Sequence, residues 1–499
     1  MRDMQILDLL KKLIAVRSDN GTVFEKKFEQ TILSIIKNMD YFVQNPNHFG
    51  SESIEDDLMG RRIVWAFKDN SSEKTVVLFG HYDTVGLEMY ENYDYDEDED
   101  WLYGRGSCDM KAGLAIQLRL MEKIESTDCP NLILISVPDE EGMSVGMRSA
   151  SMLLKRLKKQ FKLTYNLAIL SEPQQKDDNR VFKVHTGSVG KMLPFIMTKG
   201  SPSHAGIPFS GLSSVGLMNE IIKAIEFNTE MGDIVERKMS PPPIFLGIKS
   251  MKNNYDVTMP EFTASYFNWL FLKDDLDKKM NQLKSLCVWS AEDAINQYNY
   301  SYNEFLRKQG LPSYECCHQI DVEVLFYDEL MEVASEHVDT KAFIERITSD
   351  HTDLSTQDLS LLITKGLLEA IKSPKPMIVI GLLAPYYAVV DSGDHYESVT
   401  KGILEKSVDT LPLELQREAY FMGISDMSFI KSTKNKNQRI KKLMPVDFRI
   451  HFDVIDELGI EVINIGPWGK DLHKITERVY IPDVVETVPE IIRDLIRNL

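Results

Sequence analysis

The 499-residue sequence contains no apolar run approaching the roughly 18 to 20 residues that a bilayer-spanning helix requires. Its opening reads as an amphipathic helix, not as the uninterrupted apolar core expected of a signal peptide. "MRDMQILDLLKKLIAVRSDN" places Ile6, Leu9, Leu10, Leu13 and Ile14 at amphipathic helical spacing, with Lys and Asp between them. Paired CxxC spacing is absent. The five cysteines are an odd number in a long chain, with Cys316 and Cys317 adjacent and Cys108 in a Gly-rich stretch. This usage argues against a cysteine metal cage or a disulfide framework, and a reducing cytoplasm is the expected setting. A basic excess is missing too: 57 Lys and Arg face 76 Asp and Glu, for a net charge of −19. Polynucleotides and anionic membrane surfaces are therefore not the expected partners. There is no internal repeat and no long low-complexity segment. The acidic run "ENYDYDEDEDW" lacks the Gly-bearing pattern of a calcium loop and reads as a solvated loop.

What is present is a globular composition, 43% hydrophobic and 27% charged, in a chain too long for one core. Strand-like and helical segments alternate through the first part: "RRIVWAFK", "KTVVLFGHYDTVG", the helix "KAGLAIQLRLMEKIES", "NLILISVP", the helix "GMRSASMLLKRLKKQF" and "YNLAILSEP". Such alternation predicts an α/β fold, a mixed, largely parallel sheet flanked by helices. From about residue 191 the texture changes, and strands bracket two helical segments, the second a long one between Asp274 and Arg307. "QIDVEVLFYDEL" reads as the closing strand. The expected organisation is a catalytic domain in two parts, 1–190 and 336–499, interrupted by an inserted α+β sandwich at 191–335. "KPMIVIGLLAP" and "FRIHFDVIDELGIEVINIGP" are assigned to the second catalytic part, closed by the helix "ETVPEIIRDLIRNL".

Ligands of parallel sheets collect beyond the C-terminal strand ends. His81, Glu140, Glu141 and Glu172 each follow directly on an apolar strand. With Asp83 in "GHYDTVG", Asp109 in "GRGSCDMKAG" and His473 in "GPWGKDLHKITERV", they make two imidazoles and several carboxylates. That set suits two divalent transition metals bridged by one carboxylate, with zinc the default and cobalt or manganese as alternatives. It also explains why Glu140 and Glu141 stand side by side, since cations offset their repulsion. Any one of these residues alone would more often be a surface or capping residue; the argument rests on the set.

Taken in order, "GHYDTVG", "LYGRGSCDMKAG", "PDEEG", "SEP", "GSPSHAG", "GISDM" and "GPWGKDLHKITERV" resemble the motifs of the dinuclear zinc peptidases. That family includes aminoacylases, glutamate carboxypeptidase, succinyl-diaminopimelate desuccinylase and peptidase T. The long insert and the wording of the last two motifs look most like the branch typified by the arginine-utilisation protein RocB. The resemblance implies a phosphorylase/hydrolase-like zinc peptidase domain with a lid or dimerisation insert. It further implies that Asp109 bridges two metals, His81 and Glu172 completing one and Glu141 and His473 the other. Asp83 would orient His81 through its far nitrogen, Glu140 would be the general base, and the Asp109–Met110 peptide would be cis. By the same resemblance His204 would steady the oxyanion, often in the active site of a partner subunit, so a homodimer is expected. Ser425 and Asp426 would shape the substrate end. Relatives often carry Asp-x-Arg on an insert strand as a carboxylate clamp. Here Asn268 and Leu270 stand in those places, so the substrate is either held otherwise, with Asn268 the candidate contact, or is not a simple N-acyl amino acid or dipeptide. The activity implied is hydrolysis of an amide or peptide bond in a small peptide or N-acyl amino acid. The alternative, a catalytically silent binding or scaffold protein, predicts a lost ligand or base, and none is lost.

Overall fold

A computed structural model describes residues 3–55, 57–86, 94–124, 129–176, 180–252, 254–312, 318–409, 411–431 and 437–499. Cys316, Cys317 and the start of the acidic run lie outside them. The chain divides into two compact units: Met1–Val189 with Ala388–Lys434 and Arg449–Leu499, and Gly190–Tyr387 with Asn435–Phe448.

The first unit is built on an eight-stranded mixed sheet. Its order is Phe49–Ser53, Arg62–Lys68, Asn131–Val137, Thr75–His81, Tyr165–Leu170, Val462–Asn464, Val181–His185, Glu414–Glu418. Thr75–His81 runs parallel to both neighbours, Asn131–Val137 and Tyr165–Leu170, and Val462–Asn464 runs parallel to Tyr165–Leu170. Thr75–His81 and Asn131–Val137 are buried at every position, as near-continuous Val, Leu and Ile runs demand of strands covered on both faces. Parallel pairing brings the C-terminal ends of these strands to one edge, where "GHYD", "PDEEG" and "SEP" begin. The helix Lys111–Lys123 is buried along most of its length. Met4–Ile14, whose Leu10, Leu13 and Ile14 are buried as their spacing predicts, shares its core with the C-terminal helix Val488–Asn498. Among the described residues no helix is long and apolar enough to cross a membrane, and Cys108, Cys129 and Cys287 are free and buried.

The second unit carries a five-stranded sheet, ordered Ile244–Ser250, Phe262–Phe271, Gly190–Lys199, Met377–Tyr387, Glu323–Phe326. Helices Ser214–Ile225 and Leu276–Lys308 belong to it. It runs further than the expected 191–335. Met377–Leu383 pairs antiparallel with Leu193–Lys199, and Tyr387 with Lys191 beyond an irregularity, so the strand Met377–Tyr387 belongs to this sheet, not to the larger one. The segment read as one strand at "QIDVEVLFYDEL" changes at Tyr327: Glu323–Phe326 is a strand and Tyr327–Ser335 a helix, started where the Glu329 carboxylate accepts the Phe326 N–H at 2.6 Å.

Candidate functional site

The predicted ligands converge in the first unit. His81 ends its strand with the ring fully buried, its Nε2 3.1 Å from Asp109 Oδ1 and 3.4 Å from Glu172 Oε1. Asp109 Oδ2 lies 3.2 Å from His473 Nε2, which is 3.2 Å from Glu141 Oε1. The carboxylate of Asp109 thus turns one oxygen to each of two three-residue clusters, His81–Asp109–Glu172 and Asp109–Glu141–His473. Donors bound at about 2.0–2.1 Å to one tetrahedral ion stand about 3.3 Å apart, so these nitrogen–oxygen separations fit ligands of a common ion. The residues fit a pair of divalent metals in donor type and spacing alike. The Asp109–Met110 peptide is cis.

Without such ions the charges lean on one another. Burial disfavours a charged His81, but hydrogen bonds to Asp109, Asp83 and Glu172 hold its pKa well above the ordinary histidine value. For His473 the partners Asp109 and Glu141 raise it to about 10. Burial, then the Asp109 charge, pushes Glu172 up to about 7. Glu140 is raised well above its usual range by burial first, with Asp426, Glu172 and Glu141 adding repulsion that His81 only partly offsets. Asp109 goes the other way: against the cost of burial, hydrogen bonds to His473 and His81 hold its carboxyl below the usual carboxylate range.

The strand-end turn is held from beneath. Asp83 meets His81 Nδ1 with its carbonyl at 3.0 Å and its carboxylate Oδ1 at 3.5 Å. The carboxylate also accepts the N–H of Glu140 and of Glu141, each at 3.1 Å, and Asn20 Nδ2 at 2.9 Å. Asp139, at φ +69°, accepts the Met143 and Val145 N–H groups at 3.2 and 3.1 Å. Its other oxygen meets Arg61 Nη1 at 2.6 Å and Asn20 Nδ2 at 3.1 Å. Arg61 also reaches Asp57 at 2.9 Å and Glu25 at 3.3 Å. Sequence reading missed Arg61, Glu25, Asn20 and Asp139; only Asp139 was signalled, by its place in "PDEEG".

Glu477, inside the last motif, was missed as well. It is buried, takes Arg105 Nη1 at 2.7 Å, and accepts the N–H groups of Cys108 and Asp109 at 3.3 Å each. It therefore ties the turn bearing Asp109 to the turn bearing His473. That second turn is strained: Asp471 and His473 both sit in the left-handed region, at φ +57° and +64°. Asp471 braces it by accepting Thr476 Oγ1 at 3.0 Å and pairing with Arg478. Gly466 opens the same segment. A Cβ there would stand 1.9 Å from the Glu172 carbonyl oxygen. Gly466→Ala is expected to destabilise the first unit by about 1–3 kcal/mol, read as a lower denaturation midpoint; an unchanged midpoint would show that the backbone yields there.

The remaining predicted residues fall elsewhere. Asp426 is fully buried beside the cluster, and neither carboxylate oxygen has a hydrogen-bond partner among the described residues. Ser425 Oγ caps a short 3₁₀ turn by accepting the Met427 N–H at 3.3 Å. His204 and Asn268 belong to the second unit. His204 is exposed, and its Nδ1 accepts the Gly206 N–H at 3.0 Å, which puts the proton of a neutral ring on Nε2. Asn268 lies on Phe262–Phe271, its buried Oδ1 without a partner among the described residues.

The profile of Peptidase family M20/M25/M40 matches residues 77–498. Two proteins of Bacillus subtilis (strain 168) are similar along nearly the full length. YqjN is 29% identical over 98% of this chain and 95% of its own. RocB is 26% identical over 97% and 93%. Among solved structures, the M20 family metallo-carboxypeptidase Sso-CP2 of Sulfolobus solfataricus shares the fold with a TM-score of 0.58 at 12% identity, over 99% of each chain. The chain belongs to peptidase family M20/M25/M40 and, within it, to the RocB-like branch.

Proposed function

We propose that this hydrolase cleaves an amide or peptide bond in a small peptide or N-acyl amino acid, using two divalent metal ions and Glu140 as general base. The observation that carries the reading is the Asp109 carboxylate, divided between two His/carboxylate clusters with Glu140 next to one of their ligands. His81, Asp109 and Glu172 would hold one ion, and Asp109, Glu141 and His473 the other. When bound, the ions, zinc by donor type with cobalt or manganese as alternatives, would supply Lewis acidity to the scissile carbonyl and acidify water.

The chain's own groups do the rest. Glu140 has its backbone N–H on Asp83, which fixes the root of its side chain. Its carboxylate takes one proton from the attacking water as the carbon–oxygen bond forms. It returns that proton to the amide nitrogen as the carbon–nitrogen bond breaks, so the amine leaves neutral. Asp83 acts as a positioning residue for both glutamates. His204 is the candidate oxyanion donor through Nε2 on the strength of the resemblance.

Metal content tests the ligand assignment. Parent protein purified without chelator is expected to hold about two transition-metal equivalents per chain. Glu141→Ala or His473→Ala should lose mainly one ion, and Asp109→Ala should lose most of both. A parent that binds less than one equivalent after addition of zinc would sink the centre. Activity is tested by screening N-acyl amino acids, dipeptides and amidated basic amino acids with zinc, cobalt or manganese. Full metal loading with no turnover of any class would overturn the hydrolytic reading.

A further inference from the structure

A cavity of about 600 Å³ in the first unit is lined by none of the proposed ligands. One wall is the chain at Lys176 with Lys183; the other is the segment Trp468 to Lys474. Gln174 zips the two walls together. Its N–H donates to the Pro467 carbonyl at 2.9 Å, its carbonyl accepts the Gly469 N–H at 3.0 Å, and its side chain bonds Gly466 O at 2.7 Å and the Lys183 N–H at 2.8 Å. The frame is therefore set before anything enters it.

In a chain of net charge −19, this cavity is lined by Lys176, Lys183, Lys470 and Lys474 against a single acid, Asp471. Asp471 is already engaged by Arg478 and Thr476. Lys176 is buried, with its ammonium 3.0 Å from Asp483 and 5.3 Å from the Trp468 ring centroid. Lys470 lies over the same indole, 4.4 Å from its centroid. Among the described residues no carboxylate forms an ion pair with Lys183 or Lys470. Lys176 has Asp483 and Lys474 has Asp471 at 3.6 Å, so the positive charge left over in the lining of this acidic protein is that of Lys183 and Lys470.

We propose that this cavity binds a small molecule bearing at least two negative charges, carried by carboxylates or phosphate, with Lys183 and Lys470 as its primary contacts. The site is separate from the hydrolytic centre and does not depend on the reading given to that centre. It shares one turn with it: Leu472 and Lys474 line the cavity, while His473 between them reaches Asp109 and Glu141.

The test is calorimetric titration of the metal-loaded protein with succinate and, separately, inorganic phosphate, at constant ionic strength set by sodium chloride. Saturable binding of either anion is expected, and the tighter of the two tells carboxylate from phosphate. Lys183→Gln should weaken it about tenfold or more, and the double variant with Lys470→Gln further still. Lys470→Gln also removes the contact with Trp468, so the deciding variant is Lys183→Gln alone, with its unfolding midpoint checked against the parent. No saturable binding of either anion, or equal binding by parent and Lys183→Gln, would overturn the proposal. Metal assays before and after titration separate binding from chelation.

Discussion

Glu140→Gln is expected to lower turnover of any hydrolysed substrate by about 10²–10⁴-fold while leaving metal content at the parent level. The amide keeps the size and the backbone anchor of Glu140, whose N–H sits on Asp83 at 3.1 Å, but it cannot accept a proton from water. Glu141, one residue on, has its carboxylate 3.2 Å from His473 and belongs to a ligand cluster. Neighbours in sequence should therefore fail in different ways, Glu141 variants by losing metal and Glu140 variants by losing only rate. The paired readout is steady-state kcat with metal analysis of the same preparations. A Glu140→Gln enzyme within tenfold of the parent rate would remove Glu140 from the proton path, and one that lost metal would make it a ligand.

Arg61→Met should destabilise the first unit by about 3–5 kcal/mol. Arg61 is buried and meets Asp139 at 2.6 Å, Asp57 at 2.9 Å and Glu25 at 3.3 Å, all three carboxylates buried as well. Glu25 already has its pKa pushed up to about 8, chiefly by burial and then by the Asp83 charge, and Arg61 is the cation that opposes this. Methionine fills similar volume but leaves the carboxylates facing one another with no cation between them. Arg61→Lys keeps a charge without the planar fork, and should recover only part of the loss. Denaturant unfolding followed by tryptophan fluorescence and circular dichroism gives the number. A loss below about 1 kcal/mol, the range of exposed pairs, would show that the network is not a buried support. Because Asp139 also fixes the turn bearing both glutamates, weaker metal binding is expected alongside.

The legibility of the site followed from where its chemistry sits. His81, Glu140, Glu141 and Glu172 stand at or just past strand ends, so a run of apolar residues announced each of them, and parallel pairing then gathered them at one edge. The support beneath was hidden for the opposite reason. Arg61 meets Asp139 from 78 positions away and Asn20 meets Asp83 from 63, and an isolated Arg or Asn in a mixed stretch carries no mark of its partner. Asp83 was recognised as a partner of His81, but its hold on the N–H groups of Glu140 and Glu141 was not, because sequence spacing does not show where a carboxylate finds backbone donors 57 and 58 positions away. The extent of the second unit was misjudged on similar grounds. "MIVIGLLAPYY" announces a buried strand, yet an apolar run is equally at home in either sheet, and only the ladder with Gly190–Lys199 decides.

The first unit is assembled from three separate stretches, Met1–Val189, Ala388–Lys434 and Arg449–Leu499. Asn464, on a central strand, donates to the Glu172 carbonyl 292 positions before it. On a ribosome adding about 5–20 residues per second, the later partner emerges roughly 15–60 s after the earlier one. Glu140, Glu141 and Glu172 therefore spend that interval without His473, without the strand Val462–Asn464 and without the helix Val488–Asn498. The second unit, mostly one continuous stretch, has its strands available sooner. The protein becomes able to hold its second proposed metal ion only once His473 has been made, so a nascent chain stopped short of it carries the acids of the centre without the means to load it.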